Sequence, residues 1–236
     1  MPDTPTATAR TRRNLLIALL TAAALWFYMF SPWTHGAPNF WLVMSLSALI
    51  LTTLALSFTP DRKALLRVER PLLQFAAGIV LAFALWGIFW IGDKASAWLF
   101  DFARPQVDNV YAMKHGLPGW LIAILLIILI GPAEELFWRG YVQRTMERVL
   151  SVRNGLKCCE TGNDTADARA KNLAFAVTAV IYALVHIWSF NFMLIMAALV
   201  AGCVWGFCYR ICPKALPALV VSHALWDALV FIILPI

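Results

Sequence analysis

Gly131-Pro132-Ala133-Glu134-Glu135-Leu136-Phe137-Trp138-Arg139-Gly140 closes an apolar run that begins near residue 119. A helix needs roughly 20 apolar residues to cross a bilayer, and this run supplies them. Two adjacent carboxylates and a guanidinium occupy its end. A charge in the middle of a spanning helix costs about 2.5–3.5 kcal/mol on insertion scales, so such residues face the interior of a bundle and mark function. Gly131-Pro132, just before them, permits a kink that frees a carbonyl inside the bundle.

Six further apolar runs flank this one. The seven expected spans are about 14–30, 38–59, 73–92, 119–138, 172–190, 192–212 and 215–235. The composition agrees: 61% of the 236 residues are hydrophobic and 14% charged, where soluble domains are about 45–50% apolar. The fold class is therefore all-α, a polytopic membrane bundle of about seven helices with room for one more interfacial or re-entrant helix. The fifth and sixth spans are joined tightly and should lie antiparallel.

Lysine and arginine set the orientation. Fifteen of them fall in the N-terminal segment (Arg10, Arg12, Arg13) and in the connections after spans two, four and six. The opposite side carries Lys94, Arg104 and Lys114. The positive-inside rule puts the N-terminus in the cytoplasm and the C-terminus outside, in a cell inner membrane. The net charge of +6 then belongs to cytoplasmic loops at a lipid surface, and no basic-aromatic module points to nucleic acid. Arg12-Arg13 before an apolar stretch looks superficially like a twin-arginine signal. The stretch is long and without a clear cleavage site, so it is read as the first span.

Three connections are more than turns. Residues 93–118 mix Trp98, Phe100, Phe102 and Tyr111 with charges, as an interfacial segment does. Residues 60–71 suggest a short basic amphipathic helix, and 150–171 a flexible cytoplasmic loop. His35 and His115 fall in external connections. Cys158 and Cys159 stand in the polar loop, and Cys203, Cys208 and Cys212 in one apolar segment. None makes a Cys-x-x-Cys pair, and reduced structural thiols are expected.

Spacing separates the two acids. Glu135 and Arg139 are four apart and share a helix face. Glu134 points about 100° away. One carboxylate is then held by the guanidinium while the other faces a cavity, a division into structural acid and working base. The fifth span ends Tyr182-Ala183-Leu184-Val185-His186, and the seventh holds His223-Ala224-Leu225-Trp226-Asp227. His223 and Asp227 are again four apart. At 1.5 Å per residue, Glu134 and His186 lie roughly 24 and 21 Å from the cytoplasmic connection between their helices, so they should meet across the bundle. His223 is only about eight residues beyond Ala215, so the seventh helix must begin deeper or tilt, and by that count His223 and Asp227 are the less secure half of the site. Trp138, Trp188, Trp205 and Trp226 lie near the polar positions, as packing or as cavity wall. Gly202 and Gly206 suit close helix contact.

Glu-Glu-x-x-x-Arg at 134–139, aromatic-x-x-x-His at 182–186 and His-x-x-x-Asp at 223–227 resemble, in that order, the three motifs of the CAAX protease and bacteriocin-processing (CPBP) family, which includes the CAAX prenyl endopeptidases. The likeness covers about 119–236, the implied catalytic core. Residues 1–118 would add N-terminal spans and interfacial segments to one integrated bundle. The resemblance implies an intramembrane endopeptidase of the glutamate type. It assigns Glu134 as general base for water with His186 sharing that role, His223 to the oxyanion, and Glu135 with Arg139 as support. Its substrate would be a membrane-anchored peptide or protein, prenylated or leader-bearing.

Two positions depart from the family pattern. Tyr182 stands where phenylalanine is usual. Asp227 stands where the prenyl endopeptidases carry asparagine. An aspartate orients His223, sits protonated, or ligates a metal. No cofactor is preferred, but Glu134, His186, His223 and Asp227 would make a plausible Zn²⁺ set by ligand type. The competing readings are a transporter with a proton relay and an inert membrane scaffold or immunity protein whose cluster is a buried ion pair.

Overall fold

The computed structural model describes residues 5–34, 39–114, 116–153 and 164–236. Every regular element among them is helical. Helix α1 is Pro5–Phe30, α2 Phe40–Phe58, the short α3 Arg62–Leu65, α4 Pro71–Leu99 and α5 Ala103–Ala112. Helix α6 runs without a break over 119–153 and contains two π-helical stretches, Leu126–Ile130 and Leu136–Gln143. Helix α7, Asp164–Leu184, tightens into a 3-10 turn at Val185–Ser189. Helix α8 is Phe192–Ile211, and α9 is Leu216–Ala228, prolonged by a π turn at Leu229–Ile233. Among the described residues seven stretches are long and apolar enough to cross a membrane, one each from α1, α2, α4, α6, α7, α8 and α9. The chain is an integral membrane protein with an all-α polytopic fold.

Several boundaries differ from the sequence reading. Helix α4 continues past residue 92 to Leu99 because its charges are paired: Asp93 meets Lys94 at 3.1 Å and Arg104 at 3.3 Å. The expected basic helix over 60–71 shrinks to α3. Arg70 precedes a proline, which bars the α region, and takes φ 52° before Pro71 starts α4. Helices occupy 150–153 and 164–171, where a loop was expected. His35, His115, Cys158, Cys159, Lys157, Gly162 and Asn163 lie outside the described residues. Cys203, Cys208 and Cys212 are free thiols.

Gly131-Pro132 is absorbed by widening the helix. The Gly131 N–H donates to the Leu126 carbonyl five residues back. The looser turn gives room to a ring that would clash in a regular helix.

Helix α9 is the most enclosed span and α4 the least. Helix α9 packs along α4 and α6, α8 packs on α7 as the tight connection predicts, and α1 lies against α2 and the 3-10 turn. The α6–α9 register is set by two close approaches. A Cβ on Gly131 would stand 2.8 Å from Ala224 backbone, and one on Gly140 would stand 3.3 Å from the Leu216 side chain.

The basic connections gather at one end. A cavity of about 1030 Å³ there is lined by Arg10, Pro60, Arg144, Lys171 and Pro213, so that every basic segment contributes to it. The opposite end carries Asp93, Asp101 and Asp108 against Lys94, Arg104 and Lys114, so its formal charge is balanced. Here α5, within the segment read as interfacial, packs on α8 and α4. Arg104 of α5 holds Asp93 of α4 and its own Asp108, the latter at 2.9 Å. Gln106 accepts from Asn191 Nδ2 at 2.7 Å and, through its side chain, from the Met193 N–H at 3.0 Å. Tyr111 donates to the Val230 carbonyl and accepts from the Ile236 N–H. Burial raises the pKa of the Tyr111 hydroxyl, which keeps the proton this tie needs.

Candidate active site

All six candidate residues are buried. They fall into two connected groups, one behind the other. The rear group centres on Glu135. Its Oε1 accepts from Arg139 Nη1 at 2.7 Å, the contact the four-residue spacing predicts, and lies 2.8 Å from His223 Nδ1. Arg139 Nη2 reaches the Gly202 carbonyl at 3.5 Å. Its guanidinium sits 5.0 Å from the Tyr182 ring and 5.4 Å from the Trp205 ring, within cation–π range. Trp205 stacks on His223 with centroids 3.9 Å apart and planes 17° apart. Its indole donates to Ser222 Oγ at 3.1 Å. His223 is thus held on one edge and one face, and its Nε2 stands 3.6 Å from Asp227 Oδ2.

The front group centres on Glu134. Its Oε2 accepts from the Tyr182 hydroxyl at 2.9 Å. His186 Nδ1 lies 2.8 Å from the Tyr182 carbonyl, and the Trp26 indole donates to His186 Nε2 at 3.1 Å. These two bonds settle the tautomer. A carbonyl only accepts, so Nδ1 carries the proton. An indole only donates, so Nε2 presents its lone pair. In this arrangement His186 is neutral.

The two groups share a cavity of about 620 Å³ whose wall is mainly apolar. Glu134, Tyr182, His186, His223 and Asp227 form its polar floor, and Trp226 belongs to the wall. Phe89 packs on Trp226 at 4.7 Å. Glu135 and Arg139 stay behind the floor. Trp138 stands edge-on to Trp26, Phe137 and Tyr182, and Trp188 packs on Phe27. The Trp205 and Trp226 rings therefore serve the site, while Trp138 and Trp188 pack.

Glu134 and His186 do face one cavity, but no hydrogen bond between them is among those described. Tyr182 stands between them, bonded to each. His223, expected to be less secure, is the residue that joins the Glu135–Arg139 pair directly. The depth count took the end of α6 as the membrane level. Gly140 packs opposite Leu216, so α9 begins near Gly140 and the last turns of α6, Arg144–Arg153, extend beyond it. His223 then sits level with Glu135. Trp26 was not singled out from sequence, and Tyr182 was noted only as a departure from the family's phenylalanine. Trp26 lies in a span without any motif, and nothing in its surroundings distinguishes it from packing. The Tyr182 hydroxyl was legible as a polar atom in an apolar run.

Among the described residues no three His, Cys, Asp or Glu side chains are grouped so as to hold a metal ion. Glu134, His186, His223 and Asp227 share a cavity without forming a ligand set.

Fold and site together define a polytopic membrane protein with a polar centre sunk in an apolar cavity. Residues 116–229 match the family described as type II CAAX prenyl endopeptidase, Rce1-like. By this match, which contains all six candidate residues, the region from α6 to α9 belongs to the CAAX protease and bacteriocin-processing family. The match supports endopeptidase activity within the membrane on a membrane-associated peptide. No curated protein and no solved structure matches the chain.

Proposed function

We propose that the chain is a glutamate-type intramembrane endopeptidase in which Glu134 is the general base. One observation carries the reading: of the two adjacent carboxylates, Glu135 is locked by Arg139 and His223, while Glu134 faces the cavity with only Oε2 engaged by Tyr182. A base must stand within hydrogen-bond reach of the water it activates, and Glu134 Oε1 meets that need.

In the proposed reaction, water attacks the scissile carbonyl and Glu134 takes its proton. His186 shares the role through Nε2, its one unprotonated nitrogen, which water reaches by replacing the Trp26 indole. His223, as an imidazolium, keeps Nδ1–H on Glu135 and donates Nε2–H to the oxyanion, the form of stabilisation that acyl transfer uses most. Asp227 orients that edge of the ring. Glu134 then returns the proton to the leaving nitrogen as the C–N bond breaks. Glu135 and Arg139 are positioning residues, and 119–236 is the catalytic core of one integrated bundle. The protein sits in a cell inner membrane with its N-terminus in the cytoplasm.

The test compares wild type and Glu134→Gln in membranes carrying a membrane-anchored reporter peptide. Cleavage by the wild type alone supports the base. Equal cleavage by both rejects it. A parallel arm adds a chelator: loss of wild-type cleavage that Zn²⁺ restores would transfer Glu134, His186, His223 and Asp227 to a metal-assisted mechanism.

A further inference from the structure

We infer that the catalytic cavity opens at the extracytoplasmic end of the bundle, and that its substrate is an apolar segment of an exported polypeptide instead of a cytoplasmic prenylated tail. The substrate half of this inference rests on the peptidase reading above. The entrance half does not.

Three observations point the same way. First, the cavity is built from the charge-balanced end. Its upper wall comes from the last turns of α4 (Asp93, Ser96, Leu99), from α5 (Val107, Tyr111) and from the first turns of α8. Leu99, Phe100 and Phe192, on its rim, are exposed apolar residues. Second, the path to the basic end is plugged. Phe137, Trp138, Glu135 and Arg139, behind the floor, are almost wholly buried, and Gln143 below them donates to the Gly206 carbonyl at 3.0 Å. No residue lines both this cavity and the basic one. Third, the ends differ in charge in the sense that fixes topology. The basic connections meet around one cavity, while at the opposite end three acids and three bases balance in formal charge. The positive-inside rule assigns the basic end to the cytoplasm. The floor therefore communicates with the other face.

The occupant follows from the wall. Apart from the floor, the cavity is apolar and aromatic, and α5 is tied across its mouth through Arg104, Gln106 and Tyr111. An extended apolar stretch of polypeptide, entering from the outer leaflet between α4 and α8 beneath α5, meets these surfaces before it meets Glu134. A prenylated tail is made and displayed on the cytoplasmic side, where this structure offers the basic cavity and no catalytic group.

The entrance is tested without reference to catalysis. Cys158, Cys159, Cys203, Cys208 and Cys212 are replaced by alanine in the full chain. Ala197→Cys then reports on the catalytic cavity and Ser57→Cys on the basic one. A membrane-impermeant maleimide is applied to spheroplasts and to inside-out vesicles. Ala197→Cys should react in spheroplasts and not in vesicles, and Ser57→Cys the reverse. Reaction of Ala197→Cys only in vesicles overturns the inference. So does reaction on neither side when detergent-solubilised protein reacts, because the cavity would then lack an aqueous entrance.

The substrate half uses two single-span reporters with the same apolar segment, one with its tail exported and one with its tail cytoplasmic and farnesylated. Cleavage of the exported reporter by wild type and not by Glu134→Gln is expected. Cleavage of the farnesylated reporter alone overturns the substrate class. If neither reporter is cleaved while Ala197→Cys reacts from outside, the peptidase reading and the substrate class fail and the entrance stands. If cleavage depends on Glu134 but labelling comes only from inside, the entrance fails and the peptidase reading stands.

Discussion

The two halves of the molecule meet at His186 and contribute different things there. Helices α6 to α9 carry both glutamates, the arginine, both histidines and Asp227. Among the described residues, helices α1 to α5 carry none of that kind on the cavity floor, yet α1 supplies the indole on His186 Nε2, Phe30 against the same ring, and α4 with α5 build the mouth. The second half defines what reaction is possible. The first half supplies the donor on His186 Nε2 and, by the inference above, the side from which substrate comes. Two side chains separated by 160 positions can complete one hydrogen-bond chain only in a folded bundle, so the division is one of roles and not of independent units.

The sharpest way to break this division is at its catalytic side. Glu134→Gln keeps an acceptor for the Tyr182 hydroxyl and removes only the base. We expect the cleavage rate of a membrane-anchored reporter to fall by about 10²–10⁴-fold, the usual worth of general acid–base catalysis. Thermal unfolding in detergent should be unchanged. A loss of folding in place of a loss of rate would move Glu134 to the supporting set.

Arg139→Met should show the opposite pattern. It leaves Glu135 buried beside His223 without its guanidinium, and breaking one partner of a buried pair costs about 3–5 kcal/mol. The readout is the thermal midpoint of the purified protein. Glu135→Met combined with Arg139→Met should regain much of that loss, because replacing both partners by apolar residues is often neutral. The double variant should remain inactive, since His223 has then lost the acceptor on Nδ1. Recovery of both stability and activity would remove Glu135 from any role in positioning His223.

Tyr182→Phe asks how much the front group owes to a hydroxyl that the resembled family does without. One hydrogen bond to a charged acceptor is lost, worth about 1.5–3 kcal/mol, and stability should fall by that order. The family's usual phenylalanine indicates that the chemistry itself does not need the O–H. The rate per folded molecule should therefore change by less than about tenfold, or about 1.4 kcal/mol of barrier. A drop as large as that of Glu134→Gln would make the hydroxyl part of the reaction.

These contrasts also separate what was legible in the chain from what was not. Glu135 with Arg139 was legible because helix geometry alone brings positions four apart to one face. The apolar runs were legible because the bilayer demands a minimum length. The depth of His223 could be read only as a helix that begins deeper or tilts, because α6 runs on past the start of α9. Helix length is set by composition, but where a helix sits along its neighbour is set by packing, here by Gly131 on Ala224 and Gly140 beside Leu216. The 3-10 turn at Val185–Ser189 and the two π stretches are likewise products of tertiary fit, and no period in the sequence announces them. Trp26 was illegible for the same reason, since an indole in an apolar helix has no local signature of its partner.

Trp26→Phe is the smallest change and bears most directly on the division between the halves. It keeps an aromatic ring against Trp138 and His186 and deletes a single N–H. A neutral buried hydrogen bond contributes about 0.5–1.5 kcal/mol, so the thermal midpoint should drop slightly. Its effect on rate depends on what the indole does. His186 is already oriented through Nδ1 on the Tyr182 carbonyl, so Trp26 is not needed to aim the ring. It caps the one unprotonated nitrogen of the ring. In the mechanism proposed above, removing the cap leaves Nε2 open to the attacking water, and the rate per folded molecule should hold or rise while the midpoint falls. A fall in rate beyond the loss of folded protein would show that the indole holds His186 in place for catalysis, and that the helices without a motif reach into the chemistry itself.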